Sequence, residues 1–241
     1  MNTILDLIKV ALQDIEKCFE IQDNLYEKYI EAEVLKDEDL LKLLNVRDNN
    51  FNWQVETPLG GAGTTLNACV LYALIRHHNM CRVIETGVSG GYYSSFMLSA
   101  LSKTLSKRQP TLTSLEISDD LTKVGKLVPF KLLSDKVVAW DLQMGKSSLE
   151  FLTKEKHWAN MFSHDSLHTM AHMMKELAEF KKCTADEFFV FIDDEKSDDF
   201  WNRCLKLNAF NKPGYTVKLI SGTESRLQGH LGGFVRYKKN G

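Results

Sequence analysis

Proline and cysteine are both sparse in this chain, at 4 and 5 of 241 residues. The cysteines, at 18, 69, 81, 183 and 204, form no C-x-x-C pair, which argues against a zinc ribbon, a dithiol redox motif and a disulfide scaffold. Reduced thiols in a cytoplasmic protein are the expectation. A net charge of −2 offers no basis for binding nucleic acid or an anionic membrane. No apolar run approaches the roughly 20 residues that span a bilayer. Asp6, Asp14 and Glu16 interrupt the N-terminal apolar pattern, so a signal peptide is not expected. Internal repeats and low-complexity stretches are absent, and so is the G-x-G-x-x-G loop of dinucleotide-binding folds.

The remainder reads as an ordinary globular chain, 44% hydrophobic and 26% charged, long enough for one α/β domain with an extension. Ile4, Leu5, Ile8, Leu12, Ile15 and Phe19 recur at helical spacing, and Leu40, Leu41, Leu43 and Leu44 suggest a second short helix. These make residues 1–56 an N-terminal helical extension, which either simply packs against the core of the main domain or serves as a cap, a lid or a homo-oligomer contact. Residues 57–241 form the main domain. A Gly-rich loop, Thr57 to Thr65, leads into a helix at about 66–78 and is either a lid or a linker. Strands are predicted at 82–86, 111–117, 136–143, 158–164, 187–193, 215–221 and 231–238, with helices filling most gaps up to 212. That alternation implies a doubly wound, Rossmann-like, seven-stranded sheet, mostly parallel, with helices on both faces. Only a loop separates the last two strands, so the last strand should be antiparallel.

The segment with most to say about function is Arg82-Val83-Ile84-Glu85-Thr86-Gly87-Val88-Ser89-Gly90-Gly91, followed by an apolar helix. It reads as strand, tight loop and helix, with small residues that let a ligand approach the backbone. Candidate ligand contacts are Glu85, Gly87 and Ser89. About thirty residues on, Thr111–Ile117 carries Glu116 at a strand end, where a carboxylate can take both ribose hydroxyls. A carboxylate just before the loop would repel a pyrophosphate but suits a cationic amino-acid group. S-adenosylmethionine, with a ribose, an ammonium and a sulfonium, is therefore favoured over a nicotinamide dinucleotide. An ordinary strand-to-helix turn with no ligand is the alternative.

Two further strand ends carry acids, Asp165 in Ser163-His164-Asp165-Ser166-Leu167-His168 and the Asp193-Asp194 pair. Three carboxylates on adjacent strand tips repel one another unless a cation lies between them, and all-oxygen ligands favour Mg²⁺. The alternative is that they cap the helices that follow. His168, three residues after Asp165, is a candidate general base. His164, His168 and His172 share a spacing that would suit zinc on a helix, except that His164 falls on a predicted strand.

Taken in order, Val83-Ile84-Glu85-Thr86-Gly87-Val88 with Ser94-Ser95, Leu127-Val128-Pro129, Trp140-x-Leu142-x-x-Gly145-x-Ser147, His164-Asp165-Ser166-x-His168-Thr169 and Ile192-Asp193-Asp194 form a recognisable series. It resembles the class I S-adenosylmethionine-dependent methyltransferases of the methyltransferase 24 type. It is also similar to the metal-dependent O-methyltransferases of macrolide and aminocoumarin sugars. The resemblance covers about residues 57–238 and implies Mg²⁺ on Asp165, Asp193 and Asp194, with His168 as base. It further implies Glu85 and Gly87 at the methionine end of the cofactor, Glu116 on the ribose and Ser147 near the adenine. Met170, Lys146 and Glu195-Lys196 depart from the family pattern. The reading reached is an O-methyltransferase acting on a small hydroxylated acceptor. Its alternatives are a non-catalytic S-adenosylmethionine-binding protein and a nicotinamide-dependent oxidoreductase.

Overall fold

A computed structural model describes residues 3–44, 62–120, 122–134, 136–154, 158–193, 198–221 and 231–241. The chain begins with α1 (Ile4–Phe19), closed at its N-terminus by a capping box between Thr3 and Asp6. Seven apolar side chains on one face of α1 are buried. Each large one contributes roughly 1.5–3 kcal/mol, so packing outweighs the ~1 kcal/mol of the cap. A π-helical turn (Tyr26–Glu31) and a 3₁₀ turn (Val34–Lys36) lead to α2 (Glu38–Leu44) and α3 (Ala62–His77). The helix expected near 66 thus begins at Ala62. Residues 57–61 of the expected loop lie outside the described residues.

From there strands and helices alternate: β1 (Arg82–Thr86), α4 (Tyr92–Ser102), β2 (Thr111–Glu116), α5 (Phe130–Ser134), β3 (Ala139–Met144), α6 (Ser148–Lys154), β4 (Met161–His164), α7 (Met170–Phe180), β5 (Glu187–Ile192), α8 (Asp198–Lys206), β6 (Tyr215–Ile220) and β7 (Gly233–Lys239). The seven strands form one sheet in the order β3-β2-β1-β4-β5-β7-β6. Only β7 runs against its neighbours, inserted between β5 and β6. The expected antiparallel last strand is present.

Alternation along each buried strand divides the core in two. Val83, Leu112, Met161, Phe189 and Phe191 face α1, α3 and α4. Ile84, Leu115, Phe162, Phe188 and Val190 face α7 and α8. The N-terminal helices share the first of these cores rather than forming one of their own. Arg236 ties them down by donating to the Phe19 carbonyl at 2.6 Å, and Arg76 pairs with Glu33 at 2.9 Å. No helix among the described residues is long and apolar enough to cross a membrane.

Candidate functional site

The strand order reverses between β1 and β4, and in open α/β sheets the crevice outside those strand ends is where ligands bind. A cavity of about 720 Å³ lies there, lined among others by Val88, Ser89, Gly90, Tyr92, Tyr93, Glu116, Asp165 and Asp193. Ser89, Glu116, Asp165 and Asp193 were all expected from sequence. A larger groove of about 860 Å³ between α2, α3 and α4 contains none of the candidate residues.

Gly87 explains how β1 and β4 come together. Its φ is +84°, and a Cβ there would stand 2.0 Å from the Asp165 carbonyl oxygen. Only glycine permits this turn and this approach, and the loop is thereby set against the Asp165 backbone. Ser89 also turns through a left-handed conformation, with φ 47°.

Glu116 accepts from the Val88 and Ser89 N–H groups, both at 2.9 Å, through one oxygen, and from Ser118 N–H at 2.9 Å through the other. Burial pushes its carboxyl up, but the Ser118, Ser89 and Val88 donors outweigh burial and hold it below its ordinary value. These loop N–H groups are the kind that would cradle a phosphate in a dinucleotide fold. Here an internal carboxylate already occupies them. The arrangement disfavours a pyrophosphate and leaves one lone pair of Glu116, on the oxygen that accepts from Ser118, for a hydroxyl donor.

Glu85 is placed differently from the expectation. It is buried behind the loop at 1% exposure and is not part of the cavity wall. Ser94 donates to it at 2.8 and 3.0 Å and Ser114 at 2.6 Å, while the Trp140 indole donates to Ser114 at 2.9 Å. Burial raises the Glu85 carboxyl to about 8 against these hydroxyls, with the Asp165 and Glu116 charges adding to the rise. The cause is strand alternation: Glu85 and Ser114 point to the α4 side of the sheet, where α4 covers them. Ser147 also falls outside the cavity, in a separate depression with Thr113, Asp141 and Gln143.

His168 is close to Asp165, with Nε2 3.4 Å from Oδ1, and both are partly exposed. Asp194 lies outside the described residues. For a hard cation the described residues supply two carboxylates from adjacent strand ends, Asp165 and Asp193, that line the same cavity. Their oxygens are the donors such an ion takes, so the donor chemistry fits. Among the described residues no group of three ligating side chains is gathered as a metal site.

The histidine series has another role. His164 is buried, and its Nδ1 lies 2.6 Å from Glu176 of α7. Thr86 at 2.8 Å, Ser166 at 3.1 Å, His172 at 2.9 Å and Ser148 also reach that carboxylate. Glu176, itself fully buried, therefore pins the ends of β1 and β4 and the start of α6 beneath the cavity. Burial opposes its charge, but His164, Ser148 and Thr86 prevail and lower its pKa to about 2.

Sequence reasoning missed Asn67, Tyr92 and Tyr93. The tyrosines stand at the start of the apolar helix that follows the loop, and both line the cavity. Tyr92 Oη lies 3.1 Å from Thr65 Oγ1 and donates to the Leu43 carbonyl at 3.3 Å. Burial, followed by the nearby Asp193 and Asp165 carboxylates, drives the Tyr93 hydroxyl far above its ordinary pKa. Tyr93 is thus a hydrogen-bond donor and not a base at neutral pH.

No protein-family model and no curated protein matches the chain. Solved structures share its fold. An O-methyltransferase from Bacillus cereus in complex with S-adenosylhomocysteine superposes with a TM-score of 0.54 at 16% identity, over 87% of this chain and 94% of that one. The O-methyltransferase TomG from Streptomyces achromogenes, involved in tomaymycin synthesis and solved with S-adenosylmethionine, gives 0.51 at 18%, over 85% and 91%. The Podospora anserina methyltransferase PaMTH1, bound to S-adenosylhomocysteine, gives 0.54 at 14%, over 88% and 94%.

Proposed function

We propose that the chain is an S-adenosylmethionine-dependent methyltransferase that methylates a hydroxyl oxygen of a small acceptor, with Mg²⁺ as a second cofactor. One observation carries this reading. The cavity at the strand-order reversal is built around a β2-end carboxylate that occupies the loop N–H groups itself, an arrangement suited to a ribose without a phosphate. The cofactors bound by the B. cereus, S. achromogenes and P. anserina proteins of the same fold support it.

In this reading Glu116 accepts from a ribose hydroxyl through its remaining lone pair, and Gly87 and Ser89 shape the loop against the cofactor. Glu85 contributes from behind, as a largely neutral carboxyl that ties β1 to α4 through Ser94 and to β2 through Ser114. Asp165, Asp193 and Asp194 hold the cation, which when bound lowers the pKa of an acceptor hydroxyl. His168, beside Asp165, takes the hydroxyl proton. The cavity walls would align the resulting oxyanion with the sulfonium methyl, so that the new O–C bond would form as the C–S bond breaks and S-adenosylhomocysteine leaves; alignment of this kind supplies much of a transfer rate.

The test is methyl transfer from labelled S-adenosylmethionine to a panel of vicinal diols and catechols, with and without chelator. Turnover that chelator abolishes and that falls by roughly 10²–10⁴ in His168→Ala, the usual span for a general base, is the expected result. Undiminished turnover in His168→Ala removes that residue from the chemistry, and turnover indifferent to chelator removes the cation.

A further inference from the structure

The geometry points to Asn67 as the residue that positions Asp193 in the cavity, a role resting on the proposal that Asp193 binds a cation. Asn67 lies on α3 among Leu66, Ala68, Cys69 and Val70, all fully buried, and is itself 3% exposed. An amide buried there without partners would cost roughly 1–3 kcal/mol, so its presence calls for a reason. Its Nδ2 donates to Asp193 Oδ1 at 3.0 Å and reaches Tyr93 Oη at 3.4 Å. Its Oδ1 accepts from the Gly232 N–H at 2.7 Å. These contacts fix the orientation of the amide, because the flipped form would set oxygen against carboxylate and NH₂ against N–H.

Gly232 completes the arrangement. A Cβ there would stand 2.5 Å from the Phe191 ring and 3.2 Å from Asn67 Nδ2. The absence of a side chain lets the chain entering β7 approach the end of β5 and hold Asn67 in place. Asn67 is thus anchored on one side by backbone and aims its donor at Asp193 on the other. Partners that orient a ligating carboxylate commonly contribute 10–100-fold to metal affinity. Asn67 touches neither acceptor nor cofactor in this account and acts only through Asp193.

The test uses Mn²⁺ as a spectroscopic stand-in for Mg²⁺, titrated by electron paramagnetic resonance into protein saturated with S-adenosylhomocysteine. Wild type, Asp193→Ala and Asn67→Leu, which keeps the side-chain volume, are compared. Asn67→Ser is run beside them as the milder change in case the leucine variant does not fold. S-adenosylhomocysteine affinity and thermal midpoint are measured for each. The expected result is saturable Mn²⁺ binding in wild type, lost in Asp193→Ala and weakened roughly 10–100-fold in the Asn67 variants, with S-adenosylhomocysteine affinity within about twofold of wild type. Asn67 variants that bind Mn²⁺ as wild type does would overturn the positioning role alone. Variants that lose S-adenosylhomocysteine in parallel would show a structural role and overturn it too. A wild type without saturable Mn²⁺ binding would overturn the cation reading and this inference together.

Discussion

Replacing Glu176 by Gln gives the sharpest perturbation of the scaffold beneath the site. The carboxylate is fully buried and is approached by His164, Thr86, Ser148, Ser166 and His172. Gln keeps the shape. Its oxygen can accept from His164 and Thr86, while its NH₂ can donate to Ser148, Ser166 or His172. What it loses is charge, and hydrogen bonds to charged groups are worth roughly 1.5–3 kcal/mol against 0.5–1.5 for neutral ones. The same contacts lower the carboxyl from 4.5 to about 2 on folding, which corresponds to roughly 3 kcal/mol. At this chain length that is a fall of about 6–12 °C in thermal midpoint. The pH dependence has a definite sign. A depressed folded pKa stabilises fully above the unfolded value of 4.5, and the stabilisation is lost as pH falls from there toward about 2. Denaturant unfolding of both proteins between pH 7 and pH 3 should therefore show a gap that narrows below pH 4.5. A gap that stays constant with pH, or a variant as stable as wild type at pH 7, would refute the account of Glu176 as a stabilised carboxylate.

Two other substitutions probe the loop. Glu85 has the opposite sign: its folded pKa of about 8 exceeds the unfolded 4.5, so it costs stability increasingly between those values. Glu85→Gln, which mimics the protonated form, should gain stability relative to wild type as pH rises from 4.5 to 8 in the same unfolding assay. A relative gain on the acid side instead would contradict the buried neutral carboxyl. Gly87→Ala would drive a Cβ into the Asp165 carbonyl at a positive φ, and should lower the thermal midpoint and abolish S-adenosylhomocysteine binding in a calorimetric titration. Unchanged binding would mean that the loop can yield.

Much of the fold was legible because its signals are local. β5 reads Glu187-Phe188-Phe189-Val190-Phe191-Ile192 and is buried on both faces, as its continuous apolar run requires. The α1 stripe and the strand, loop and helix around Gly87 are equally local. The insertion of β7 between β5 and β6 was not legible, since alternation along a chain says nothing about lateral order. Glu85 was read as a contact for the cationic amino-acid end of the cofactor, from its charge just before the loop and from the family resemblance, whereas strand alternation turns it behind the loop. Asn67 and Glu176 carried no signal alone. Each acquires its role from partners distant in sequence, Asp193 and Gly232 for one, Thr86 and His164 for the other. His172 and Glu176 do share i, i+4 spacing on α7, but the partner that matters most comes from a strand.

The most direct test of the central claim is a calorimetric titration of S-adenosylhomocysteine and of NAD⁺ into wild type and Glu116→Ala. The account predicts saturable one-site binding of S-adenosylhomocysteine by wild type, its loss or severe weakening in Glu116→Ala, and no binding of NAD⁺ by wild type. Absence of S-adenosylhomocysteine binding in wild type, or saturable NAD⁺ binding in its place, would contradict it.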